Sequence, residues 1–273
     1  MKNKSAARRF EAEVLDKVGK LREYRKSLSA EPFDAEGVHK MRVLTRRLRE
    51  TFSFIQITAD GKEIAGWARK TKRLTRALGR CRSLDVSLGL LRGEFVRSHP
   101  AAARTAMREL ERERRDETRL LVKELKRFKA NRLRRELRRL FEEKRGRLDR
   151  HWRRAGEKLE KRRGAVVRKL GSRNQLKKGR MHELRVEMKK YRYSLEVLAS
   201  GNASYGKRLR ALKTGQRLLG RWHDYQVLAG QLRGIGRGAL RPLEKEVRRR
   251  EEASRRALLE RFKGNWKDVI GIR

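Results

Sequence analysis

The sequence predicts an all-α fold of two related, pseudo-symmetric antiparallel helical bundles, and three observations support it. Charged residues make up 41% of the 273 positions, prolines number only 3, and leucines recur every three or four residues, which favours helices over strands. Segments near the start return about 142 residues later in the same order. Glycines and prolines divide the chain into helix-length pieces with short connections, the pattern of antiparallel packing. The 37% of hydrophobic residues suffice for a core.

The internal repeat is read from four landmarks. Val38-His39-Lys40-Met41-Arg42-Val43 matches Met181-His182-Glu183-Leu184-Arg185-Val186 at an offset of 143. Leu78-Gly79-Arg80 matches Leu219-Gly220-Arg221, and Val86 matches Val227, both at 141, while Pro100 and Pro242 correspond at 142. One domain over residues 1–273 is expected, with a first repeat in 1–143 and a second in 144–273. Helices are expected near 4–29, 35–57, 61–79, 83–97, 101–128 and 131–143. Breaks are expected at Pro32, Gly61, the Gly79 region and Pro100, then at Gly171, Gly179, Gly201, Gly220, Gly234–Gly238 and Pro242. The highly charged stretch 104–163 keeps leucines at helical period and reads as a helix pair, its Arg and Glu mostly a solvated face braced by pairs three or four apart.

Helical projection at about 100° per residue shows what each repeat displays. His39, Arg42, Arg46 and Arg49 fall in one sector, with Met41, Leu44, Leu48, Phe52 and Ile55 opposite. The second repeat has His182, Arg185, Lys189 and Arg192, with Leu184, Met188, Tyr191, Leu195 and Leu198 opposite and Tyr193 at the border. The following helix adds Arg69, Lys72, Arg76 and Arg80, matched by Arg210, Lys213, Arg217 and Arg221. Aligned cations repel by roughly 0.2–0.5 kcal/mol per pair on an isolated helix, a cost that a bound anion relieves. A row of guanidinium and ammonium groups suits a chain of phosphates, because guanidinium forks two hydrogen bonds and ammonium supplies a compact charge.

The formal charge of +44, from 78 Lys and Arg against 34 Asp and Glu, demands an anionic partner. The single cysteine, Cys81, excludes an intrachain disulfide and fits a reducing cytoplasm. Residues 1–10 lead into Glu11, Glu13 and Asp16 rather than an apolar run, and no stretch approaches a membrane span, so neither export nor membrane insertion is expected. No cofactor or metal is expected. His99, His151 and His223 lack partners at zinc-ligand spacing, and neither a nucleophile motif nor a phosphate-cradling glycine loop occurs.

The segments around His39 and His182 carry a resemblance. Val38-His39-Lys40-Met41-Arg42 through Arg49, and His182-Glu183-Leu184-Arg185 through Tyr193, resemble the two histidine helices of the CHAD family, the conserved histidine alpha-helical domain. Leu78 to Val86 and Leu219 to Asp224 are similar to its two Leu-Gly segments. Ser83 departs from the usual acid of the first segment, and Gln226 from the later acid of the second, while Asp85 and Asp224 remain to orient arginines or cap helices. The resemblance implies paired four-helix bundles around a basic central groove or pore, binding of inorganic polyphosphate, and residence on polyphosphate granules. It carries His39, Arg42, Arg46, Arg49, His182, Arg185, Lys189 and Arg192 as the binding set; the rows from Arg69 and Arg210 come from spacing alone.

A non-enzymatic polyphosphate binder is therefore expected. Nucleic acid is the rival ligand, since phosphate contacts dominate that affinity too. The 6% aromatic content, without a basic-aromatic cluster for stacking bases, argues against it. A polyphosphate-processing enzyme is the alternative of another class, lacking a visible carboxylate cluster for metal. A membrane-surface adaptor lacks a free apolar stripe.

Overall fold

The computed structural model describes residues 6–28, 35–58, 63–150, 152–171, 178–198, 205–236 and 238–270. Among these, nine α-helices and no strand occur: α1 (Ala6–Ser27), α2 (Ala35–Thr58), α3 (Ile64–Leu90), α4 (Pro100–Arg127), α5 (Ala130–Arg150), α6 (Trp152–Gly171), α7 (Lys178–Leu198), α8 (Gly206–Ile235) and α9 (Arg241–Ile270). The predicted breaks at Pro32, Gly61 and Gly201 lie outside the described residues. Pro100 opens α4 at its first turn, where a missing N–H costs nothing. Gly236, at φ 68°, closes α8 in the left-handed region that glycine alone enters without penalty. Residues 104–163 run through α4, α5 and α6, turning at Phe128 with extended ψ of 103°.

The expected break at Gly79 does not occur. The helices anticipated near 61–79 and 83–97 are one, α3, continued by a π-helical turn at Leu91–Phe95. Gly220 likewise lies inside α8. A mid-helix glycine costs about 1 kcal/mol against alanine, a cost that the packing of α3 outweighs. The Arg42 guanidinium of α2 lies beside Gly79: a β-carbon there would stand 3.5 Å from its Nε and 3.8 Å from its Nη2, ordinary contact distances that leave room for alanine.

Neighbours in space follow neighbours in sequence: α1 packs on α2, α2 on α3 and α3 on α4, and then α6 on α7, α7 on α8 and α8 on α9. Helix α5 folds back on α1. The predicted inward faces are inward, with Met41, Leu48, Phe52 and Ile55 of α2 and Leu184, Met188, Tyr191 and Leu195 of α7 fully buried. Three apolar clusters form. The first gathers α1 to α5 with Val197 of α7, and the second centres on Trp222 among α6, α7 and α8. The third unites Leu84, Leu88 and Phe95 with Leu110, Tyr225, Leu232 and Leu243, drawing together α3, α4, α8 and α9.

Polar contacts fasten α2 to the later helices. Arg47 Nε donates to Glu196 of α7 at 2.8 Å. Glu50 accepts from Ser194 at 3.0 Å and from Arg162 of α6, and Lys158 stands 3.6 Å away. Glu50 is 12% exposed and Arg162 18%. Truncating Glu50 leaves two half-buried cations unneutralised. Glu50→Ala is expected to destabilise the fold by about 2–3 kcal/mol in urea denaturation, somewhat less than a fully buried pair loses. Exposed Glu143→Ala, by contrast, should leave the denaturation midpoint essentially unchanged.

Candidate anion-binding site

Helix α2 packs on α7 and α3 packs on α8, and the basic faces meet at this double contact. Arg42 on α2 has Arg46, Arg185 and Arg82 among its strongest electrostatic neighbours. Lys189 on α7 answers to Arg185, Arg46 and Arg42. His39 is influenced by Arg82, Arg42 and Arg46. The ring of His182 lies 5.6 Å from that of His223 on α8. Two predicted rows, from helices more than a hundred residues apart in sequence, thus form one cluster.

Cations elsewhere in this protein commonly find carboxylates, yet Arg42, Arg46, Arg82, Arg185 and Lys189 make no side-chain hydrogen bond or ion pair with any described residue. All five are half-buried. Buried side-chain nitrogens without a hydrogen-bond partner include Nε of Arg42, Nε of Arg185, Nδ1 of His39 and Nδ1 of His223. An unpaired buried donor costs about 1–3 kcal/mol, more when charged. Four such atoms in one cluster mark a surface suited to an anion that accepts from them.

Burial first, and neighbouring cations second, push these groups towards their neutral forms. Lys189 falls to about 6, His223 to about 3 and His39 below its ordinary value. Arg42 falls to about 9 and Arg185 to about 10, so both remain cations at neutral pH. Burial pushes the carboxyl of Asp224 upward against the pull of Arg185, Lys189, Arg82 and Arg42. Cys81, buried in α3, has its thiol pushed up to about 11, which leaves it inert at neutral pH.

The remaining predicted residues lie at the margins. Arg49 is exposed and feels Arg46 and Arg76. Arg192 stacks 4.6 Å from the Tyr193 ring centre and stands 3.4 Å from Glu196, so its charge is already countered. Arg69, Lys72, Arg76 and Arg80, and Arg210, Lys213, Arg217 and Arg221, are all exposed. Of these, Arg80 is paired with Glu117 of α4 at 2.5 Å, and Arg221 stands 3.5 Å from Glu94 and donates to Tyr225. Lys213 lines a cavity of about 300 Å³ with Tyr193, Arg47, Glu196, Lys17 and Glu13.

Arg82, His223 and Asp224 join the cluster without having been in the predicted set. The signal was present: Arg82 and His223 both stand three residues after a mid-helix glycine, at the constant offset of 141. Their chemical difference concealed the equivalence. Asp85 does orient an arginine, receiving Nε of Arg114 at 2.7 Å. Among the described residues, no three His, Cys, Asp or Glu side chains group as a metal site, and no helix is long and apolar enough to cross a membrane.

The CHAD domain family profile matches residues 14–233, which include every residue of the cluster. The chain belongs to the CHAD family. Its fold is similar to the crystal structure of the CHAD domain from the plant Ricinus communis, with a TM-score of 0.68 and 21% sequence identity over 98% of this chain and 90% of that one. No curated protein sequence matches the chain. The CHAD assignment accounts for the helical architecture and for the two histidine helices that build the cluster.

The depressed ammonium of Lys189 makes a stability prediction for this CHAD domain. Between its folded value of about 6 and the ordinary 10.5, the unfolded chain binds more protons, so this group makes stability rise with pH across that window. In the absence of anions, Lys189→Met should raise the melting temperature at about pH 6 and flatten its rise towards about pH 9. A gain of about 2–4 °C corresponds to each kcal/mol in a chain of this size.

Proposed function

We propose that this CHAD domain binds inorganic polyphosphate, holding it along the seam where α2 and α7 bring Arg42, Arg46, Arg185 and Lys189 together, with His39, His182, Arg82 and His223 around them. The observation that carries this reading is the gathering of five half-buried basic side chains on which no described carboxylate closes within 4.0 Å. Charge-assisted hydrogen bonds to phosphate contribute about 1.5–3 kcal/mol each. A linear polyanion offers acceptors at close intervals, so several donors are satisfied by one ligand. Exposed Arg49, Arg76 and Lys213 extend the positive field beyond the seam and raise the capture rate of a long chain.

Nucleic acid shares the phosphates but brings bases that need platforms. Trp67 and Trp222 are buried, and Tyr193 is 8% exposed with Arg192 against its ring, while Tyr24 and Tyr205 are partly buried and pack against the apolar clusters. Stacking contributes about 1–3 kcal/mol per base where aromatics are free, and the seam offers Tyr193 with its ring already covered by Arg192. Binding without turnover is the reading for the chemistry, and recruitment to polyphosphate granules is the cellular role that fits such a ligand.

Three outcomes test this. Polyphosphate should raise the melting temperature with the logarithm of its concentration. Reversal of Arg42, Arg46, Arg185 and Lys189 to Glu should abolish that rise, while reversal of exposed Arg112, Arg115, Lys126 and Arg138, an equal change in charge, should leave most of it. Duplex DNA and RNA at matched phosphate and salt should compete poorly; DNA winning at every salt concentration overturns the choice of ligand.

A bound polyanion draws protons onto Lys189, His39 and His223, so affinity should weaken between about pH 6 and about pH 8 in calorimetric titration. Incubation with magnesium should leave the polyphosphate chain length unchanged.

A further inference from the structure

The cation cluster contains one acid that does not belong to its clamps. Asp224, half-buried on α8 beside His223, has Arg185, Lys189, Arg82 and Arg42 as its principal electrostatic partners. It is the carboxylate that acts on both Arg185 and Lys189. The neighbouring acids Glu50, Glu196 and Asp85 each close on a basic side chain at hydrogen-bond distance. Asp224 closes on none: it makes no hydrogen bond, and no ion pair within 4.0 Å, with any described residue. Charge balance alone would be served better by a closed pair.

A carboxylate in an anion site has two opposite effects. It repels a fully ionised group, and it accepts a hydrogen bond from an oxygen that still carries a proton. Phosphate chains offer both kinds of group. Internal phosphates have lost their only ionisable proton well below neutral pH, whereas an end phosphate has a second ionisation near about 6, like a phosphate monoester.

We propose that Asp224 is a specificity-determining residue that accepts a hydrogen bond from the protonated oxygen of an end phosphate, so that the cluster takes the terminus of a phosphate chain in preference to its interior. This rests on the anion-binding reading above and assigns the part of the ligand that the seam recognises. Burial makes the carboxyl of Asp224 a stronger acceptor, while Arg185, Lys189, Arg82 and Arg42 favour its charged form. The sequence offset of 141 pairs Asp224 with Ser83, an uncharged residue, so the two sides of the seam differ. The chain end belongs on the α8 side, beside His223 and His182, with the interior running towards Arg46 and Arg49.

Linear tripolyphosphate, which has two ends, and cyclic trimetaphosphate, in which every phosphate is internal, separate the two effects. Affinities of the full chain for both are measured by calorimetry at about pH 8 and about pH 6, on either side of the end-phosphate ionisation. Attraction by Arg42, Arg82, Arg185, Lys189 and the histidines alone predicts that the preference for the linear ligand shrinks as its ends gain protons. Asp224 predicts that it grows, by about tenfold, the lower limit for a hydrogen bond to a charged group.

Asp224→Asn should abolish that growth and bind trimetaphosphate more tightly than the wild type. A wild-type preference that shrinks towards pH 6, or growth that survives in Asp224→Asn, overturns the proposal. The wild-type series decides the matter even if the variant fails to fold. Binding of neither small ligand, nor of long polyphosphate, overturns the anion site itself.

Discussion

Mutual repulsion among half-buried cations is the constraint on which the rest of this structure depends. Arg42, Arg46, Arg82, Arg185 and Lys189 come from three helices, and like charges in a half-buried setting repel more strongly than in water. No described carboxylate closes on them, so the fold holds them together by other means. The opposite faces of α2 and α7 are sunk into separate apolar clusters, and a third cluster draws α3 and α4 to α8 and α9 beside the site. Two polar clamps, Arg47 with Glu196 and Glu50 with Arg162 and Ser194, act directly across α2, α6 and α7. Neutralisation of these flanking groups and isolation of the central ones are two parts of one arrangement: the acids fasten the helices and leave the cations unanswered.

Much of this was legible in the sequence, for a physical reason. A helix with a basic row on one side and Met41, Leu44, Leu48, Phe52 and Ile55 on the other has one way to bury its apolar face, and the basic row then lies at the surface or in a seam. The CHAD resemblance, carried by the same two histidine helices, agrees with the family to which the chain belongs. Spacing alone could not say which rows converge. The rows from Arg69 and Arg210 have the same period as those from His39 and His182, yet their members are exposed and two of those charges are spent on Glu117 and Glu94. Their partners lie on α4 and in the turn after α3, so the outcome depends on tertiary contacts that helical period does not encode.

The glycine of each Leu-Gly segment shows the same limit from another side. Glycine in a charged helical sequence reads as a boundary, because it is the weakest helix former after proline. In α3 it lies inside the helix beside the Arg42 side chain, and packing of α3 against α2 and α4 keeps the helix continuous through it. Gly220, at the equivalent sequence position, has no atom within 4 Å of where a β-carbon would stand. The two sides of the seam therefore differ in what lies beside the glycine as well as in chemistry, with Arg82 against His223 and Ser83 against Asp224.

That difference bears on what a ligand does to the protein. Each group that burial and repulsion push towards neutrality, Lys189 and His223 most of all, stores part of the cost of assembling the seam. An anion that accepts from Arg42 and Arg185 removes the unsatisfied donors and the repulsion at once, so the free energy of binding is recovered from strain already present between α2 and α7. The gain is concentrated where the halves of the chain meet rather than within either. A ligand at this seam therefore acts as a structural member, and its removal weakens the joint between α2 and α7 before it weakens the apolar clusters on either side.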